Sequence, residues 1–146
     1  MLWNQRNLPK QVVRYMETGH LDAPSILDIP QMEWDSDTKA CVLDYMFSGE
    51  NFIATSMKGA PKNAFTGCDL VEALANFGDG CWQWRGDLPL YIRDYNIAVP
   101  EEFIQHVLAR MQENPGLYKP LFDWRRRKHP YEPFGALARK QKRGLL

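Results

Sequence analysis

Apolar residues recur at helical spacing most clearly in residues 100–113. Phe103, Ile104, Val107, Leu108 and Met111 stand one, three and four apart, which aligns them on one face of a helix. Pro100 suits the opening, Glu101 and Glu102 suit the positive end of the helix dipole, and Asn114-Pro115-Gly116 ends the run. A shorter stripe, Val12, Val13 and Met16, lies between Pro9 and Gly19 and predicts a helix over residues 9–18. Thr66-Gly67-Cys68-Asp69 resembles a capping box and predicts a third helix over residues 70–77, closed by Gly78.

Other stretches carry a period of two. Trp82 and Trp84 fall on one side of a short extended segment between Gly80 and Gly86, and residues 88–92 read as a further strand. Residues 40–57 allow two readings. Apolar positions at 42, 43, 46 and 47 fit a helix, whereas two runs around Ser48-Gly49-Glu50-Asn51 fit a hairpin. The four-residue connector with its glycine and the β-branched and aromatic content favour the hairpin. Asp35-Ser36-Asp37-Thr38 before it is turn chemistry. These elements predict a single α+β domain, about three helices packed on a small, mostly antiparallel sheet.

Composition changes this picture little. With 146 residues and 45% hydrophobic content, the chain suits one domain with an ordinary core. Cys41, Cys68 and Cys81 are odd in number, which favours reduced thiols and a cytoplasmic setting. No basic region followed by an apolar run marks a signal peptide, and no run approaches the roughly 20 apolar residues that cross a bilayer.

Charge changes the picture more. Residues 1–123 hold ten Lys and Arg against seventeen Asp and Glu, a net of −7. Residues 124–146 hold eight Lys and Arg against Glu132 alone, a net of +7. The zero net charge therefore hides an acidic body, residues 1–123, with a basic C-terminal tail, residues 124–146. The tail has two basic clusters, Arg125, Arg126, Arg127 and Lys128, then Arg139, Lys140, Lys142 and Arg143. Trp124, Tyr131 and Phe134 interleave aromatics suited to stacking on bases or guanidinium groups. Phosphates, an acidic surface or the acidic body of the same chain would each attract it. The matching acidic candidates are Asp35, Asp37, Asp44 and Glu50, in a stretch whose six acids face only Lys39.

Catalytic and cofactor motifs are weak. Asp35-x-Asp37 opens like a calcium loop, but Lys39 takes the next ligand position and Ala40 stands where glycine is required. The cysteines lack zinc spacing, so neither metal nor cofactor is expected. Gly59-Ala60-Pro61-Lys62 lacks the end of a phosphate loop, and Gly78-Asp79-Gly80 lacks the third glycine of a dinucleotide fingerprint. Cys81 with His106 could pair as nucleophile and base, although a packed cysteine beside Trp82 is the commoner outcome. Asp79 and Asp87 flank the tryptophan segment, the nearest thing to a cleft.

The reading favoured here is a non-enzymatic protein-binding module. It would be an inhibitor or immunity-like antagonist, or an accessory subunit of a larger assembly. Its acidic body would dock a protein while the basic tail reaches nucleic acid or an acidic surface. The alternatives are a nucleic-acid-binding protein working through the tail, and a small enzyme with a cleft near Trp82 and Trp84.

Overall fold

A computed structural model describes residues 8–55, 60–70, 73 and 75–126. Four strands, β1 (Lys10–Gln11), β2 (Phe52–Thr55), β3 (Ala75–Gly78) and β4 (Trp82–Arg85), form one sheet in the order β1-β4-β3-β2. β3 pairs antiparallel with both β2 and β4, and β1 pairs parallel with β4, so the sheet is mixed. Three helices complete the fold: α1 (Ser36–Met46), α2 (Asp87–Tyr95) and α3 (Glu101–Glu113). The arrangement is a single-domain α+β fold, as the pattern predicts, but only one of the three helices is where the pattern put it.

That helix is α3. Pro100 holds its N-cap position, Phe103, Ile104 and Val107 are buried, and Leu108 and Met111 pack at the margin of the core. Burial alternates along β4 as period two requires. Trp82 and Trp84 are buried, whereas Gln83 and Arg85 are partly exposed. Phe77 on β3 lies parallel to Trp84 at 6.1 Å, and Phe103 meets both tryptophans edge-on. α1 packs on α3 and α2, closing the core from Val42, Leu43, Tyr45 and Met46.

Four expectations are corrected. Residues 9–18 form no α-helix. Lys10 N–H donates to the Cys81 carbonyl and Val12 N–H to the Gln83 carbonyl, so pairing with β4 overrides the local stripe, and only Met16–Thr18 turn as a 3-10 helix. Residues 40–46 belong to α1 and Phe47 caps it, so this segment is not one arm of a hairpin. The turn chemistry at Asp35 is a helix cap, its carboxylate accepting the Thr38 amide at 3.0 Å, and β2 pairs with β3 instead. Ala75–Gly78 is a strand rather than the end of a helix. The Thr66 hydroxyl takes the Cys68 amide two residues on, which makes a turn and leaves no capping box. Residues 88–92 lie in α2, where eight of nine residues are buried. A five-residue apolar run is too short to tell a helix from a strand by its period, so it reads as a strand.

Candidate functional site

The β3–β4 connection carries the most concentrated chemistry among the described residues. Asp79 turns the hairpin. Its Oδ1 accepts the amides of Cys81 at 2.9 Å and Trp82 at 2.7 Å, and Gly80 adopts a φ of 91° that suits glycine. Its Oδ2 accepts the Tyr45 hydroxyl, from α1, and lies 2.8 Å from His106 Nε2, on α3. One carboxylate thus ties the hairpin to two helices, with its side chain only 1% exposed.

The electrostatics follow from these contacts. Burial pushes the Asp79 carboxyl up, but the donors outweigh it: the Tyr45 hydroxyl, the Trp82 and Cys81 amides and His106 together hold it below the ordinary carboxylate value. Burial, reinforced by the Asp79 carboxylate, drives the Tyr45 hydroxyl far above the ordinary tyrosine value, so Tyr45 stays protonated and donates. A carboxylate only accepts, so the proton in the contact with His106 sits on Nε2.

Cys81 completes the group. It is exposed, and Arg110 Nη2 donates to its sulfur at 3.6 Å. One donor atom from each of Asp79, Cys81 and His106 fits within 4.8 Å of the others. Glu102, His106 and Arg110 recur every fourth residue and share a stripe of α3. Beside them opens a hollow of about 520 Å³, lined by Leu8, Lys10, Cys81, Trp82, Glu102 and His106. Lys10 Nζ lies 5.7 Å from the centre of the Trp82 ring.

The charged residues singled out from the sequence lie elsewhere. Asp35 and Asp37 are exposed at the start of α1, and Glu50 is exposed in the 3-10 turn Gly49–Asn51. Asp44 is engaged by its own chain. It accepts the Trp124 indole N–H at 2.7 Å and a two-pronged contact from Arg125 at 3.0 and 3.2 Å. The Arg125 guanidinium stacks 4.3 Å over the Trp124 ring, which is 9% exposed and joins the core. The basic stretch is therefore clamped to the acidic body at its first two residues. Arg126 is exposed. Arg127, Lys128, Arg139, Lys140, Lys142 and Arg143 lie outside the described residues, as do Tyr131 and Phe134.

The structure thus brings Cys81 and His106 together with Asp79. Tyr45, Lys10 and Arg110 were not singled out. The spacing of Glu102, His106 and Arg110 was the legible sign for Arg110, whereas Tyr45 was hidden by the strand reading of its segment. No family model, curated protein or solved structure matches this chain. Among the described residues, no helix is long and apolar enough to cross a membrane.

Proposed function

We propose that this chain is a non-enzymatic binding protein that docks a basic protein surface through its acidic body. Its basic segment then reaches nucleic acid or an acidic surface of the same assembly. An antagonist of a larger protein and an accessory subunit of a complex are the two roles that fit. The observation carrying this reading is the clamp of Trp124 and Arg125 on Asp44. It holds the first two residues of the basic stretch against the acidic body, which supports a partner that meets the two charged parts together. Asp37 and Asp44 stand seven residues apart on α1, two turns along one face, so the exposed Asp37 shares the face that carries the clamp. Three free cysteines support a reducing, cytoplasmic setting.

The test is a pull-down from the native cell, with and without nuclease. It uses the full chain, a chain lacking residues 127–146, and the triple variant Asp35→Asn, Asp37→Asn, Glu50→Gln. The expected result is a protein partner that survives nuclease and is weakened by both changes. Capture abolished by nuclease, and steeply weakened by salt, would replace this reading with nucleic-acid binding in its own right. A second reading, a small enzyme, is favoured by the hollow with Cys81 and His106 on its wall.

A further inference from the structure

We propose that Asp79, Cys81 and His106 bind a divalent transition-metal ion of the zinc class, with an open coordination position on the hollow. This inference does not rest on the docking reading, because the acids and the clamp used there lie outside the cluster.

Three features carry it. The first is the donor set. A thiol, an imidazole and a carboxylate suit zinc(II) or cobalt(II), whereas magnesium and calcium take oxygen alone. The second is geometry. The donor atoms lie within 4.8 Å of one another. Bond lengths of about 2.0–2.3 Å at a tetrahedral ion place ligand atoms roughly 3.3–3.8 Å apart. Rotation of the exposed Cys81 side chain supplies the closure, and Asp79 Oδ2 and His106 Nε2, now 2.8 Å apart, part by about half an ångström as the ion replaces the proton between them. Asp79 is otherwise held by its amide and hydroxyl donors. Ligating carboxylates are commonly fixed in this way by surrounding hydrogen bonds. The third is access. Cys81 and His106 both line the 520 Å³ hollow, so three protein ligands leave a fourth position for water or a small anion. That pattern distinguishes an open site from a closed structural one.

On binding, the Cys81 thiol gives its proton to solvent, and His106 gives up to solvent the Nε2 proton of its contact with Asp79 and takes one at Nδ1, so that Nε2 is free to ligate. Arg110, 3.6 Å from the sulfur, donates to it and does not ligate. Its charge opposes the cation, as does that of Lys10 across the hollow. Glu102 on the same wall offsets one of them.

Titration of the full, metal-free chain with cobalt(II), followed by visible and near-ultraviolet absorption, tests the proposal. The expected result is a tetrahedral spectrum with a sulfur-to-cobalt charge-transfer band, displaced by zinc(II). Cys81→Ser should remove that band, Cys68→Ser and Cys41→Ser should keep it, and His106→Gln should weaken binding about ten- to a hundredfold. Circular dichroism of each variant confirms that it is folded. Because Cys81 is exposed, its serine variant keeps the test decisive even if His106→Gln unfolds. Absence of the band in the wild-type chain, or its persistence in Cys81→Ser, would overturn the proposal.

Discussion

Asp79 is the side chain on which most contacts converge, and its protonation should be readable in the stability of the fold. Its folded pKa lies below the ordinary value of 3.8, so it contributes stability above that pH. That contribution is lost as pH falls through the lower, folded value. Tyr45→Phe removes one donor to the carboxylate. At neutral pH it is expected to cost about 1.5–3 kcal/mol, the range for a hydrogen bond to a charged group. The penalty should fade well below pH 3.8, where the carboxyl is protonated in both states. Urea unfolding of both proteins at the two pH values checks this, and an equal penalty at both would mean that packing, not the hydrogen bond, is what Tyr45 supplies. A buried ion pair holds the fold elsewhere. Asp87 is fully buried, accepts the Tyr15 hydroxyl at 2.6 Å and pairs with Arg85 at 2.6 Å. Asp87→Ala would leave Arg85 without its partner, and a loss of about 3–5 kcal/mol is expected in the same assay.

Among the elements, the longest periodic run was the most legible. α3 keeps a solvent face, so its period survives in the sequence. Its inward residues also differ in depth: Phe103 is fully buried, whereas Leu108 packs at the margin. Phe103→Ala is expected to cost about 3–5 kcal/mol and Leu108→Ala less, by denaturant midpoint. Equal costs would place Leu108 deeper than the structure does. In α2 the apolar run 88–92 is too short to tell a helix from a strand, although Pro89 sits in its first turn, where proline is tolerated. β1 has two residues and owes its existence to β4, so no local pattern could announce it. The cluster at Asp79 was half legible for the same reason. Cys81 and His106 could be named and the Trp82–Trp84 segment read as extended, but the hairpin was hidden by the helix reading of residues 70–77, and the meeting depends on α1 and α3 packing together.

Over the whole molecule, the charge split at Trp124 does not coincide with the edge of the core, since Trp124 is part of it. The core-forming periodic segments of the sequence end by Glu113 and the clamp is made by Trp124 and Arg125, so deletion of residues 127–146 is expected to leave the melting temperature nearly unchanged. Trp124→Ala, by contrast, should lower stability by about 3–5 kcal/mol, through lost burial and the loss of one donor to Asp44. Melting of both variants at low and high salt decides this. A large loss from the deletion that shrinks with salt would show that the remaining cations also hold to the acidic body.

The parallel pairing of β1 with β4 joins Lys10 to Trp82, 72 residues further along the chain, and β1 is only two residues long. Val12 and Tyr15 anchor its far side in the core, so the edge at Leu8 and Lys10, held by short backbone pairing, is the natural place for this seam to breathe. Leu8 and Lys10 form one wall of the hollow, and they travel with β1. Lifting that edge would widen the mouth over Cys81 and His106 while β3, β4 and the helices stay in place. Amide exchange at Lys10 should therefore outpace exchange at Phe77 and Trp84. The strand would then act as a door, its opening rate setting how fast anything enters or leaves.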